Sequence, residues 1–311
     1  VMSASIQGKS YLITGGTSLI GSHITDLLLA AGAKEVRLLD NYSLSTPATI
    51  AHLEKDTRVK LIKGDILKLP DLLDAMNGVD GVFAMAGYLT LPMSQDPYMG
   101  LSVNTIGMAN TLEACRFAGV RRIVFSSSIA TYGTPTDFPI TEATGYISEG
   151  LQPASQLYGA SKLIGEAICA RYAKSHGIQF NALRFASVYG ERQHARAVNA
   201  VFVAQICDKV LRGESPVIQG DGSEVHDYVY VTDVARACTT AMQSESHNNI
   251  LNIATGVDSS ATEVAEMVLK ICGRSDLKVL YQEDNRAVRS GGASRLGLSV
   301  TKAEQTIGWK S

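Results

Sequence analysis

Cysteine and tryptophan are scarce: five cysteines and one tryptophan in 311 residues. Cys115, Cys169, Cys207, Cys238 and Cys272 never fall in a Cys-x-x-Cys spacing. Neither a metal site nor a disulfide framework is therefore expected, and the helix-like apolar contexts of most of them suit buried thiols in a reducing cytoplasm. No stretch reaches the ~20 consecutive apolar residues of a membrane span. No run of Lys or Arg accompanies the net charge of -2, which argues against a nucleic-acid surface. The start, Val-Met-Ser-Ala-Ser-Ile-Gln-Gly-Lys, carries no apolar region of the signal-peptide kind. Internal repeats and low-complexity linkers are absent too.

What is present is an ordinary globular balance, 45% apolar and 19% charged. The length allows one large α/β domain, or a main domain with a small partner. Short apolar runs at Tyr11–Thr14, Glu35–Asp40, Val59–Lys63, Val79–Met85, Arg122–Ser127 and Gln179–Phe185 predict strands. Helical patterns fall between them at Leu19–Ala31, Leu101–Ala118 and Ser155–Ser175. Strands alternating with helices imply βαβ units and a parallel sheet covered on both faces. After about residue 186 the rhythm breaks. Helices are predicted at Ala200–Leu211, Asp233–Gln243, Ala261–Cys272 and Thr301–Ile307. Short strands are predicted at Val217–Ile218 and Tyr228–Val231, with a turn at Gly220-Asp221-Gly222.

Thr14-Gly15-Gly16-Thr17-Ser18-Leu19-Ile20-Gly21 follows a predicted strand and opens a helix, the context a dinucleotide fingerprint requires. Gly15 permits the tight turn and Gly21 the close helix–strand packing. The helix N-terminus then receives a pyrophosphate. Ser18 stands where Gly-x-x-Gly-x-x-Gly has its middle glycine; its hydroxyl can donate to phosphate. Asp40 ends the second strand, 19 residues after Gly21. A carboxylate there accepts from ribose hydroxyls and repels a 2′-phosphate. Asn41, Tyr42 and Ser43 offer no arginine to receive that phosphate, so NAD is favoured over NADP.

Tyr158 and Lys162, four residues apart, share a helix face. An ammonium near a phenol favours the phenolate, so the spacing predicts a tyrosine pKa below the ordinary ~10 and a usable general base or acid. Thirty residues upstream, Ser126-Ser127-Ser128 ends a buried strand at the carboxyl edge of the sheet, where ligands bind in such folds. Each signal alone is weak: Tyr-x-x-x-Lys is usually a solvated helix face, and a serine triplet an ordinary polar strand end. Together, in this order, they resemble the extended branch of the short-chain dehydrogenase/reductase superfamily, the NAD-dependent epimerases and dehydratases. The resemblance runs from Lys9 to Trp309.

The resemblance implies a Rossmann-type doubly wound sheet over 1–186 and a smaller mixed α/β substrate lobe, mainly 187–311, interleaved with it. It implies Ser128, Tyr158 and Lys162 as the catalytic set: Ser128 holds the substrate oxygen, Tyr158 moves the proton and Lys162 holds the nicotinamide ribose. Cofactor contacts would come from Gly15, Ser18, Leu19, Ile20, Gly21, Asp40 and Asn41, then Asp65 and Ile66 of Gly64-Asp65-Ile66 at the adenine. Ala84, Ala86 and Gly87 would leave room for the dinucleotide, and Asn104 of Val-Asn-Thr-Ile-Gly is either a site residue or a structural hydrogen-bonder. Arg184 is expected to order structure, not to catalyse.

For the substrate, Arg-Phe-Ala-Ser-Val-Tyr-Gly has Ser187 where the family carries asparagine, and His226 stands where sugar-nucleotide enzymes carry arginine against the diphosphate. A neutral imidazole is a poorer anion partner than a guanidinium fork. Arg289 or Arg286 would supply the second family arginine. The loop Tyr88–Met93 is more apolar than a sugar site requires. The leading expectation is a sugar-nucleotide 4-epimerase that oxidises and re-reduces one hydroxyl. Ser187, His226 and the apolar loop favour instead a dehydrogenase or reductase of a smaller alcohol or ketone. A non-catalytic NAD-binding sensor is a third reading, against which the intact Ser128/Tyr158/Lys162 set speaks. The helices Leu101–Ala118 and Ser155–Ser175 correspond to those that pair across a homodimer in relatives. The family usually continues past its Leu-Gly-Trp-like element, here Ile307-Gly308-Trp309, into a further helix, and this chain stops at Ser311.

Overall fold

A computed structural model describes residues 5–193, 198–286 and 295–311. Its centre is a parallel sheet built from β1 (Ser10–Thr14), β2 (Glu35–Asp40), β3 (Val59–Lys63), β4 (Gly81–Ala84), β5 (Arg122–Ser128), β6 (Gln179–Phe185) and a late strand, Asn249–Ile253. The order across the sheet is β3-β2-β1-β4-β5-β6 and then the late strand. The strand order therefore reverses at β1, and the carboxyl ends of β1 and β4 open the crevice where such sheets bind ligands. β1 and β4 are buried throughout, as strands covered on both faces must be.

The helices between them are α1 (Leu19–Ala30), α2 (Leu69–Met76), α3 (Thr90–Gln95), α4 (Pro97–Leu101), α5 (Met108–Ala118) and α6 (Pro153–His176). The single helix expected over Leu101–Ala118 is in fact α4 and α5 joined by a π-helical stretch, Ser102–Gly107. Gly107 lets this stretch sit on Ile66: a Cβ there would lie 2.4 Å from Ile66 Cδ1. The apolar loop expected at Tyr88–Met93 is largely helical, because Thr90 to Gln95 form α3. Strand β4 starts at Gly81, two residues later than expected, since Asp80 is occupied in capping Ser10 N at 2.8 Å.

The remainder contains β7 (Ser187–Tyr189), α7 (Val198–Leu211), β8 (Val217–Gln219), β9 (Val225–His226), β10 (Tyr228–Tyr230), α8 (Val231–Gln243), β11 (Asn249–Ile253, the late strand), β12 (Ser259–Ser260), α9 (Ala261–Ile271), β13 (Leu280–Gln282) and α10 (Thr301–Ile307). Two of these return to the first sheet. β11 pairs with β6, and α8 packs against α1. Trp309 is buried and donates from Nε1 to Asp233 O at 2.9 Å, pinning the Ile-Gly-Trp element on α8. α7, β8 and α9 form a smaller cluster around Ile206, Val210, Ile218, Ala265 and Val268.

Candidate active site

The turn after β1 is shaped by three glycines. Gly15 has φ +65°, and a Cβ on it would lie 2.8 Å from Ala86 N. A Cβ on Gly16 would lie 2.6 Å from Leu38 Cβ, and one on Gly21 would lie 2.6 Å from Gly15 O. Ser18 caps α1, its Oγ accepting from Gly21 N at 3.1 Å, so its hydroxyl proton remains available to a phosphate. No acidic side chain sits in the first turn of α1 to oppose an anion. Asp40 is buried. Its Oδ2 accepts from Thr17 N at 3.1 Å and Thr17 Oγ1 at 2.8 Å, and its Oδ1 from Tyr42 N at 2.9 Å. The carboxylate that lines the cavity thus also braces the glycine turn. Each carboxylate oxygen accepts more than one hydrogen bond, so capacity for a ribose remains.

A continuous cavity of about 770 Å³ runs along the crevice. Gly15, Ser18, Leu19, Ile20, Asp40, Asn41, Asp65, Ile66, Ala86 and Gly87 line one part. Ser128, Tyr158 and Lys162 line the middle, and Ser187 and His226 the far part. The size lies toward the upper end of the ~300–1,000 Å³ usual for ligand sites. A glycine turn that Cβ atoms would fill, an acid-free helix start and a carboxylate at the end of β2 fit a dinucleotide without a 2′-phosphate.

Some expected residues lie elsewhere. Gly21 and Ala84 sit behind the lining, in the packing of α1 and β4. Asn104, read as either a site residue or a structural hydrogen-bonder, makes structural bonds: its Oδ1 accepts from Tyr88 N at 2.7 Å, and its Nδ2 donates to Tyr88 O at 3.1 Å and Ser161 Oγ at 3.0 Å. Arg289 lies outside the described residues. Arg286 is spent on carboxylates, Nη2 lying 2.7 Å from Glu224 Oε2 and 2.9 Å from Asp284 Oδ2. Sequence reasoning missed Thr134, Phe138, Leu151 and Arg295, which also line the cavity. The Arg295 guanidinium lies 5.0 Å from the Phe138 ring centroid. No spacing marks these residues, because a long loop after β5 and a segment near the C-terminus bring them together.

Ser128, Tyr158 and Lys162 lie together in the cavity wall, and the electrostatics there differ from expectation. Ser128 caps the turn that follows it, accepting from Ala130 N at 3.1 Å. Lys162 Nζ donates to Ser126 O at 2.7 Å and stands 5.9 Å from the Tyr158 ring centroid. Burial pushes the Tyr158 phenol above its ordinary value, with the Ser128 side chain pulling the other way. Burial likewise brings Lys162 down, to about 8, against the pull of Glu166. The expected lowering of Tyr158 by Lys162 is therefore absent in the protein alone. Desolvation in the cavity wall outweighs a neighbour whose proton is directed at a carbonyl.

At the far part of the cavity, Ser187 Oγ lies 3.2 Å from His226 Nδ1, and His226 Nε2 lies 2.9 Å from Glu224 Oε1. A carboxylate only accepts, so Nε2 carries a proton and the Nδ1 of a neutral ring accepts from Ser187. Asp227, fully buried, fixes the backbone of this strand. Its carboxylate accepts from Thr255 N at 2.8 Å and Gly256 N at 2.7 Å. Burial raises the Asp227 pKa despite those bonds.

Residues 11–254 match the NAD dependent epimerase/dehydratase family. The UDP-glucose 4-epimerase of Mycolicibacterium smegmatis is 31% identical, over 96% of this chain and 92% of its own. The solved UDP-glucose 4-epimerase of Thermotoga maritima with UDP-glucose superposes with a TM-score of 0.84 at 30% identity, covering 97% of this chain and 93% of that one. The UDP-N-acetylglucosamine 4-epimerase from Methanobrevibacter ruminantium M1, in complex with UDP-N-acetylmuramic acid, gives 0.85 at 27%, covering 98% and 93%. With its parallel sheet, its glycine turn and its continuous crevice cavity, this chain belongs to the NAD dependent epimerase/dehydratase family and is an NAD-dependent enzyme of the short-chain dehydrogenase/reductase superfamily.

Proposed function

We propose that this enzyme is a sugar-nucleotide 4-epimerase acting on a UDP-hexose. The observation that carries the reading is the continuity of the cavity: one space joins the glycine turn, the Ser128/Tyr158/Lys162 group and the lobe residues Ser187 and His226. Gly15, Ser18, Leu19 and Ile20 would hold the pyrophosphate of NAD, Asp40 and Asn41 its adenosine ribose, Asp65 and Ile66 its adenine, and Lys162 the nicotinamide ribose. Bound NAD supplies a hydride acceptor, a hydride donor and, when oxidised, a positive charge.

The chain's own groups do the rest. Ser128 hydrogen-bonds the substrate oxygen. Tyr158 takes the hydroxyl proton as the carbon is oxidised and returns it after the keto sugar has turned over in the cavity. Burial keeps the phenol protonated until a positive charge arrives beside it, so proton removal is tied to cofactor occupancy. The cavity walls exclude water, which protects the keto sugar between the two half-reactions. Residues 1–186 act as the cofactor domain and 187–311 mainly as the substrate lobe.

The enzyme works as a homodimer. The support is apolar exposure on the helical pair expected to form the interface: Phe117 is 60% exposed, Ile106 56% and Ile164 43%. Five thiols outside any disulfide support a reducing, cytoplasmic setting. The test is incubation of the purified protein with UDP-glucose, UDP-N-acetylglucosamine, and GDP- and dTDP-sugars, followed by separation of the products. Interconversion of 4-epimers with no net NADH supports the reading. NADH accumulation from a simple alcohol, with no epimer formed, overturns it in favour of a dehydrogenase.

A further inference from the structure

The face of α6 that carries Tyr158 and Lys162 carries a third ionisable group one turn further on. Positions i, i+4 and i+8 share a helix face, and here they are Tyr158, Lys162 and Glu166. They meet the serines at the end of β5, each taking a different one. Ser128 lies beside Tyr158. The Ser126 carbonyl accepts from Lys162 Nζ at 2.7 Å, and Ser127 Oγ donates to Glu166 Oε1 at 2.6 Å. Arg184 on β6 then grips Glu166 with both arms, Nε to Oε1 at 2.8 Å and Nη2 to Oε2 at 2.7 Å. Lys162, Glu166 and Arg184 are each 5% exposed or less. Arg184 also stacks on Tyr132, its Cζ 4.7 Å from the ring centroid, and its Nη1 is buried without a partner.

A buried ion pair contributes little net stability, because desolvation offsets the Coulomb attraction. Its place directly beneath a reaction centre calls for another role. We propose that Glu166, clamped by Arg184 and bonded to Ser127 next to the carbonyl that holds Lys162 Nζ, is a positioning residue that sustains the charge of the Lys162 ammonium.

The surroundings leave Glu166 alone in this task among the described residues. β5 offers Lys162 neutral serines and the Phe125 ring at 5.2 Å. Near Gly87, the neutral side chain of Asn104 is the polar group. On α6 itself, burial keeps Tyr158 and Cys169 protonated, and burial does the same for Tyr132 beneath Arg184. Burial brings Lys162 down to about 8, and Glu166 is the group that works against it. The two halves of the clamp must therefore act on Lys162 with opposite signs. Removing the carboxylate deprives the ammonium of its counter-charge. Removing the guanidinium leaves the carboxylate's field unopposed.

The experiment follows Lys162 directly, by NMR titration of protein carrying 13Cε-labelled lysine, without and with NAD. The Lys162 signal is assigned by its loss in Lys162→Met. The midpoint should fall by about one pH unit in Glu166→Gln and rise in Arg184→Met. The double variant Glu166→Gln/Arg184→Met leaves neither member of the Glu166–Arg184 pair without its partner and should fold like the wild type, with a midpoint below it. The alkaline limb of turnover should shift in the same order. That last readout rests on the epimerase reading, whereas the NMR midpoints do not. An unchanged midpoint, or one that moves the same way in both single variants, makes Glu166 merely structural and overturns the proposal. Should the single variants fail to fold, the double variant decides alone, and a wild-type midpoint there overturns it. Shifted midpoints in a protein that epimerises no nucleotide sugar would leave the clamp standing and the proposed function fallen.

Discussion

Ser187 Oγ and His226 Nδ1 lie 3.2 Å apart although 39 residues separate them in the chain. These are the two positions at which the substrate lobe departs from the family pattern, and the departures touch. Parallel pairing of β7 with β10, and the Ser187 N to Asp227 O bond at 2.9 Å, bring them together. The two should therefore act as a unit. His226→Arg alone loses the Ser187 contact and places a guanidinium against Glu224. Ser187→Asn with His226→Arg restores the family pair and should lower KM for a UDP-sugar about tenfold, a charge-assisted bond replacing a neutral one. kcat should be unchanged. A double-mutant cycle on KM checks this, with non-additivity of at least about 0.5 kcal/mol expected. Additive effects would mean that the contact does not shape substrate binding.

The site was legible where chemistry depends on spacing, and illegible where it depends on burial. Tyr158, Lys162 and Ser128 meet because a helix turn and a strand end put them there, and both are written in short segments. That Tyr158 is raised and Lys162 lowered follows from desolvation, which no local pattern carries. The strands with apolar runs, such as Tyr11 to Thr14, were likewise readable. β11 was not, because Asn249 and Asn252 look wrong for a sheet interior. Each needs a distant partner: Asn249 donates to Asn181 Oδ1 at 3.1 Å besides its local bond to Ser246 Oγ, and Asn252 accepts from Tyr132 and donates to Ser299 O at 3.0 Å. α2 and α3 are short and contain prolines, Pro70 and Pro92, so their helical period is too brief to read.

Tyr158→Phe removes a proton-transfer group and little else. Turnover should fall by ~100- to 10,000-fold. NAD affinity, measured by fluorescence titration, should stay close to wild type. Lys162→Ala should reduce both turnover and NAD binding, since Lys162 lines the cavity beside Gly87 and holds Ser126 O. Wild-type activity in Tyr158→Phe would remove the phenol from the mechanism.

Asp40 should select NAD over NADP by roughly 100-fold, because a buried carboxylate beside a 2′-phosphate is a like-charge juxtaposition. Its bonds to Thr17 add a second consequence. Asp40→Ala should weaken NAD binding and also destabilise the fold by about 1–3 kcal/mol, the cost of leaving buried donors unsatisfied. Calorimetric titration with both dinucleotides and urea unfolding of the variant measure the two effects. Equal affinities for NAD and NADP would show that Asp40 braces the turn and does not read the ribose.

Lys162 makes function costly to stability, and the pH dependence has a definite sign. Burial lowers its pKa from 10.5 to about 8. Between those values the unfolded chain binds a proton that the folded protein has released, so stability rises with pH in that window. Below pH 8 both states are protonated, and the folded state bears the full burden of a buried ammonium, on the order of 3 kcal/mol. Lys162→Met removes the charge and keeps most of the volume. It should be inactive yet more stable than wild type at pH 7. Its advantage should shrink by about 1.4 kcal/mol per pH unit above 8. The buried thiols of Cys115, Cys169 and Cys238 have raised pKa values, so both proteins lose stability above about pH 9 as unfolded cysteines ionise. That loss is common to both and cancels in the difference. The measurement is urea unfolding of the two proteins at half-unit steps from pH 6.5 to 9.5. A difference that is flat with pH, or that grows as pH rises, would mean that Lys162 titrates near its ordinary value in the folded protein, and the account of a desolvated ammonium beside Tyr158 would be wrong.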